Sequence, residues 1–171
     1  MQIPVFVSAP THLNEAQEAS RGRIVALLEE FGFEPRALGR SEYPLDYPLR
    51  EVAVIARGCS GGIILGFEQF RSLRGVARPG TEVEQHVEEP RSFPTEWNNL
   101  EAGILFGLRL PLLIFREPSI KGGVFDAGVT EAFVHLMPSG NVLDGDPQQL
   151  RDLLLRWQSR VRERYYRFDR Y

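Results

Sequence analysis

Cysteine and lysine are the scarcest chemical features of this 171-residue sequence, with one of each. Cys59 has no second cysteine to pair with, which excludes an intrachain disulfide framework. The three histidines, His12, His86 and His135, lack the spacing of metal ligands, and the sequence holds neither a Walker-type loop nor a G-x-G-x-x-G fingerprint. We therefore expect no metal site and no cofactor.

Long apolar runs are also absent. No stretch reaches the roughly 18 residues of a membrane span, and residues 1–7 lack the basic region and cleavage site of a signal peptide. These features predict a cytoplasmic protein without membrane contact.

Positive charge is not in excess. The net charge of −3 argues against a dedicated nucleic-acid binder. The arginine-rich end, residues 156–170, could still serve nucleic acid, or a subunit interface through its aromatic residues. A solvated helix end with favourable cations is the simpler interpretation.

What the sequence does contain is an alternation of apolar runs and amphipathic segments. Strands are predicted at residues 3–7, 33–38, 62–66, 110–115 and 133–136. Helices are predicted at residues 14–31, 46–57, 94–108 and 146–166. This order predicts one α/β domain over residues 1–171, a flavodoxin- or Rossmann-like three-layer sandwich around a parallel five-stranded sheet.

Residues 67–94 are polar and show no clear period. So long a segment inside a compact domain is usually a lid, a binding loop or disordered, and we expect a long active-site loop there. Ligands of parallel sheets bind at the carboxyl ends of the strands. The connections that should line the site are residues 8–14, 66–95 and 116–126.

Glu101 is the most informative residue. At about 100° per residue it falls on the apolar face predicted for its helix, between Trp97, Leu100 and Leu105. A carboxylate there is unexpected, because Asp and Glu are almost never fully buried without a partner. Glu101 projects into a cleft, has its charge neutralised by a neighbour, or simply points to solvent. The helix starts at the carboxyl edge of the sheet, which favours a cleft and makes Glu101 a candidate for chemistry.

The turn after the first strand is a second candidate. Ser8, Ala9 and Pro10 are small, and the free N–H groups there could receive phosphate or sugar hydroxyls. An ordinary strand-to-helix turn explains the same residues equally well.

The end of the central strand is a third candidate. After Gly66, Phe67 could stack on a planar base and Glu68 could bind ribose hydroxyls. The alternative is that these residues simply begin a loop.

Three helix residues complete the set. Trp97 could wall the pocket of Glu101 or belong to the core. Asn98 could donate to a ligand or to a carboxylate, or simply cap the helix. Gly103 lowers helix propensity by about 1 kcal/mol relative to alanine, which is tolerable where a ligand or a neighbouring strand needs close approach.

Together these residues resemble the nucleoside 2-deoxyribosyltransferase-like superfamily, which is structurally akin to TIR domains. The resemblance covers roughly residues 3–137. It rests on Val5-Phe6-Val7-Ser8-Ala9-Pro10, the strands at residues 62–66 and 110–114, and Glu101-Ala102-Gly103. The family's helix carries E-x-G-x-A, and its glutamate attacks the anomeric carbon of a nucleoside. The resemblance thus implies that Glu101 is the nucleophile, that the substrate is a nucleoside, a nucleotide or NAD, and that the protein is a homo-oligomer.

Two departures from these families are visible. TIR domains carry W-C-x-x-E, and Trp97 and Glu101 keep that spacing with Asn98 in place of cysteine. Transferases usually have an acidic residue in a short loop after the central strand, where this chain has Glu68 and a long segment.

Three functions remain open at this stage. The first is an enzyme that cleaves or transfers an N-glycosidic bond. The second is a non-catalytic nucleotide-binding sensor or TIR-like interaction module. The third, disfavoured by the acidic net charge, is a nucleic-acid adaptor.

Overall fold

The structure is a computed structural model that describes residues 2–39, 47–140 and 147–168. In chain order its elements are β1 (Ile3–Ser8), α1 (Glu15–Glu30), β2 (Phe33–Arg36), α2 (Pro48–Arg57), β3 (Gly62–Gly66), β4 (Phe70–Ser72), β5 (Gly75–Ala77), β6 (Gln85–Val87), β7 (Arg91–Phe93), α3 (Glu96–Gly107), β8 (Leu112–Arg116), a 3-10 turn (Gly123–Phe125), β9 (Val134–Leu136) and α4 (Pro147–Phe168).

Five strands form one parallel sheet in the order β2-β1-β3-β8-β9. This is the flavodoxin-like order, and it confirms the predicted α/β sandwich. The predicted bounds differ mainly at the ends. For example, β8 begins at Leu112, because the N–H of Leu110 is bonded to the carbonyl of Leu105 at the end of α3, 3.1 Å away. The predicted cap at Asp146 lies outside the described residues.

The sheet is covered on both faces, which explains the unbroken apolar runs of its inner strands. Val5 and Leu65 face α1 and α4, where Trp157 lies 5.3 Å from the ring of Phe33. Phe6, on the other face, packs in the core that α2 and α3 cover. Within the described ranges, no helix is both long and apolar enough to cross a bilayer.

Capping side chains set the starts of two helices. Asn14 Oδ1 accepts the N–H of Gln17 at 2.9 Å and begins α1, while Thr95 Oγ1 accepts the N–H of Asn98 at 3.3 Å and begins α3. Both helices therefore start at the carboxyl edge of the sheet, directly after β1 and after the segment that follows β3.

Residues 67–94, expected to be a loop, instead contain two antiparallel strand pairs. β4 pairs with β7, and β5 pairs with β6 further out, so residues 69–93 form one hairpin-like projection that we call the arm. Phe70 and Phe93 lie opposite each other at its base, with ring centroids 6.2 Å apart. Strands of three residues are too short to show a period of two in the sequence.

Candidate active site

The candidate site lies at the carboxyl edge of the sheet, where the ends of β1 and β3 meet the first turns of α3. α3 contacts both strands. The helix is rotated relative to the prediction, because its buried residues are Asn98, Glu101, Ala102 and Leu105. Only Leu105 of the predicted apolar face is fully buried.

The exposed side of α3 therefore carries Trp97 and Leu100, while Ile104 and Leu108 are partly buried against the core. Trp97 is 42% exposed and Leu100 is 44% exposed. The prediction failed because periodicity assigns apolar residues to the core, whereas here Asn98 and Glu101 find partners at the strand ends and are buried. Glu101 is only 8% exposed, so the alternative of a solvent-facing carboxylate is wrong.

The Glu101 carboxyl lies in a setting that favours its protonated form. Burial raises the pKa of Glu101 to about 7, and a hydrogen bond with the Ser8 side chain acts in the opposite direction and lowers it. At neutral pH the group is therefore divided between the acid and the carboxylate. A side chain of this kind can act as a nucleophile when ionised or as a proton donor when protonated.

A buried hydrogen-bond chain orients the partner of Glu101. Asn98 Nδ2 donates to Ser8 Oγ at 2.8 Å and to the carbonyl of Leu65 at 3.4 Å, while Asn98 Oδ1 accepts from Thr95 Oγ1 at 3.1 Å. Because Ser8 Oγ already accepts from Asn98, its own proton is free to be donated to Glu101. Ser8 and Asn98 are each 1% exposed. These linked hydrogen bonds thus hold the Glu101 carboxyl group on the side that faces the sheet.

A second carboxylate at this edge was missed by the sequence reasoning. Glu117, the first residue after β8, accepts the backbone N–H of Glu68 at 2.5 Å and the side-chain amide of Gln17 at 3.2 Å. Gln17 Nε2 also lies 3.2 Å from the carbonyl of Glu68. The available signal was its position immediately after a strand of the parallel sheet. Glu117 ties the end of β3 to the first turn of α1.

Glu68, the predicted ribose ligand, is engaged by the arm. Its carboxylate accepts from Arg71 on β4 at 2.5 Å and from the hydroxyl of Ser92 on β7. The Arg71 hydrogen bond is the largest cause that holds the pKa of Glu68 below its usual range, followed by that of Ser92. In this conformation Glu68 clamps both strands at the base of the arm.

The structure contradicts the stacking role predicted for Phe67 and explains Gly66 by packing, whereas the ligand role of Gly103 stays a prediction. The Phe67 ring is fully buried in the core, so it offers no face to a base. A Cβ on Gly66 would lie 2.4 Å from the Phe125 ring, so packing against Phe125 explains that glycine. Gly103 is exposed, and a Cβ there would meet nothing within 4 Å, so neither a strand nor a closely packed helix needs it.

The remaining predicted residues do lie at the edge. Ala9 is half-buried against the core and Pro10 is buried, so of this turn only Ser8 has a described contact to Glu101. Trp97 precedes Glu101 by one helical turn, and its exposure rules out the core alternative. Trp97 therefore remains a candidate for an aromatic wall of the pocket around Glu101.

One cavity lies beside the site. It has a volume of about 650 Å³ and is lined by the arm and by the segment after β8, including Ser92, Phe93, Pro118 and Lys121. Glu101 is not part of that lining. Among the described residues, no group of three or more His, Cys, Asp or Glu side chains is arranged to hold a metal ion.

Comparison of the chain with protein-family models, with curated proteins and with solved structures found no match in any of the three.

Proposed function

We propose that this protein cleaves or transfers the N-glycosidic bond of a nucleoside, a nucleotide or NAD, with Glu101 as the nucleophile. The observation that carries the proposal is a buried carboxyl group at the carboxyl edge of a parallel sheet, held by Ser8. Ligands of such sheets bind at this edge.

The chemistry suits that environment. As the C–N bond breaks, its electron pair leaves with the base, and the anomeric carbon becomes oxocarbenium-like. The ionised Glu101 stabilises that charge and forms an ester bond to the carbon, which water or a second base then displaces. A site shielded from water strengthens this electrostatic help.

The Ser8–Asn98 chain supports the nucleophile assignment. A hydroxyl that donates to one carboxylate oxygen favours the ionised form and fixes its orientation. Recognition of the base rests on Trp97, since Phe67 is buried and Glu68 is engaged by the arm.

The test is incubation of the purified protein with deoxynucleosides, nucleoside monophosphates and NAD, with chromatographic detection of the released base or nicotinamide. Glu101→Gln should abolish release while keeping the fold. Glu96→Gln, which removes an exposed carboxylate from the same helix, is the matched control and should keep activity. Full activity of Glu101→Gln would refute the nucleophile assignment.

A non-catalytic nucleotide sensor is the second candidate. It is favoured by the low exposure of Glu101, which leaves little room for a substrate in this conformation. A sensor should show ligand-dependent thermal stabilisation without product, and sustained turnover of the same ligand would exclude it.

We also propose that the protein acts in the cytoplasm as a homo-oligomer. Leu100 exposes an apolar side chain on the outer side of α3, on the same face as the exposed Gly103 and Gly107, and the only acidic or basic residue between Trp97 and Leu108 is the buried Glu101. An uncharged exposed stripe of this kind suits a subunit interface. Light scattering on the purified chain tests it, and a monomer at micromolar concentration would refute it.

A further inference from the structure

A cationic cavity lies at the amino edge of the sheet, at the end of α3 opposite to Glu101. Its volume is about 560 Å³, and its lining includes Phe106, Arg109, Leu110, Glu131 and Arg160. A smaller cavity of about 200 Å³ adjoins it. The two cavities have three lining residues in common, which are Arg109, Pro111 and Arg160.

Two of the arginines around the smaller cavity are already engaged. Arg167 pairs with Glu163 at 2.5 Å. Arg164 donates to the carbonyls of Leu108 and Arg109, both at 3.0 Å, and so caps the end of α3.

Arg109 and Arg160 differ from them. Neither side chain forms an ion pair or a hydrogen bond with any residue in the described parts of the chain. Glu131 is the one acidic residue in the lining of the larger cavity. Two arginines against one glutamate leave that cavity with a net positive charge.

The backbone at Arg109 adds an independent observation. The N–H of Arg109 bonds the carbonyl of Phe106 at 2.8 Å, and the N–H of Leu110 bonds that of Leu105 at 3.1 Å, which is the Schellman arrangement that ends a helix. Arg109 occupies its left-handed position with a φ of 55°. Glycine is the usual residue there, because a Cβ strains that conformation. Residues other than glycine in this conformation cluster at functional sites, so the Arg109 side chain is a candidate for binding.

We propose that this cavity binds the phosphate group of a small molecule through Arg109 and Arg160. The planar guanidinium fork matches the oxygens of a phosphate, which it binds through paired hydrogen bonds. The cavity volume suits a small-molecule ligand. Phe106, 47% exposed, offers an apolar surface to the organic part of that ligand, and Glu131 can accept from a hydroxyl group.

This site is separate from the proposed glycosidic chemistry. Glu101 lies in the second turn of α3 and Arg109 lies two residues past the end of the helix, so about 9 Å of helix axis separates Glu101 from Gly107 alone. A phosphate response should therefore survive in Glu101→Gln, and its loss there would place the phosphate at the carboxyl edge instead.

The experiment measures thermal unfolding and calorimetric binding with inorganic phosphate and ADP, at constant ionic strength set with potassium chloride. Saturating phosphate should raise the Tm of the unaltered protein by at least about 2 °C. Arg160→Gln should weaken phosphate binding at least about tenfold. Arg57→Gln, on the exposed side of α2, is the matched control and should leave binding unchanged.

Arg109→Gly separates a binding role from a structural one. The substitution removes the guanidinium but installs the residue that the left-handed position favours, so the Tm without phosphate should hold or rise while the phosphate response disappears. A retained response in this variant, or none in the unaltered protein, would overturn the proposal. Tighter binding of a single-stranded oligonucleotide than of ADP, lost in both arginine variants, would overturn the small-molecule assignment.

Discussion

Replacing Glu101 by glutamine should stabilise the protein in a way that depends on pH. The ordinary pKa of the carboxyl group is 4.5, and burial raises it to about 7 in the fold. Between these two values the unfolded chain releases a proton that the folded chain keeps, so the free energy of unfolding falls as pH rises. Below pH 4.5 Glu101 is protonated in both the folded and the unfolded chain, so it does not change the free energy of unfolding. Above pH 7 it is ionised in both states, and the free energy of unfolding is lowered by the full amount.

The size of the effect follows from the same two values. At about 1.4 kcal/mol per pH unit, the ionised Glu101 destabilises the fold by about 3 kcal/mol above pH 7. Glutamine has a similar shape, accepts the Ser8 hydroxyl and carries no charge. For a chain of this length, the Tm of Glu101→Gln should exceed that of the unaltered protein by about 6 to 12 °C at pH 8 and match it near pH 4.5.

Thermal unfolding by circular dichroism in buffers from pH 4.5 to 8 checks this expectation. Glu96→Gln is the control for removing a carboxylate from the same helix. If the separation between Glu101→Gln and the unaltered protein stayed constant over that range, the carboxyl would not be shielded from water in the folded chain. The reasoning from burial to chemistry would then fail.

Three further outcomes follow from the same contacts. In a pH–rate profile, turnover should rise about tenfold per pH unit below pH 7 and level off above it, because only the ionised Glu101 attacks. Turnover that falls as the pH rises would make Glu101 a general acid instead. Ser8→Ala should move the midpoint of that profile to higher pH, since it removes the hydrogen bond that lowers the pKa of Glu101, and an unchanged midpoint would contradict the contact. Gly66→Ala should lower the free energy of unfolding by about 1 to 3 kcal/mol in urea titrations, because its Cβ would meet Phe125, whereas Gly103→Ala should raise it by up to about 1 kcal/mol.

The sheet was predictable because burial on two faces leaves a strong trace in sequence. The apolar runs of β1 and β3 could form only strands covered on both sides, and the helices between them enforce parallel pairing. Helix starts also depend on local chemistry, since Asn14 caps α1 and Pro48 is the first residue of α2.

The rotation of α3 was not predictable by the same route. Periodicity assigns apolar residues to the core, but this helix turns Asn98 and Glu101 inward and leaves Trp97 and Leu100 at the surface. The compensating partners, Ser8 and the carbonyl of Leu65, lie 90 and 33 residues from Asn98 along the chain. Phe67 was misjudged for a related reason, because a residue just past a strand can still reach the core.

The arm can be regarded as a removable module. Its first and last strands lie side by side, with the N–H of Gln69 bonded to the carbonyl of Phe93 at 2.9 Å. No residue between Phe67 and Ala102 belongs to either core cluster. A chain shortened at this point needs a tight turn to close the gap and loses the β-bridge between Ser92 and Ile120, but it loses no side chain of either core cluster. The arm can therefore be lengthened, trimmed or exchanged, by evolution or by design, while the packing of the core stays the same.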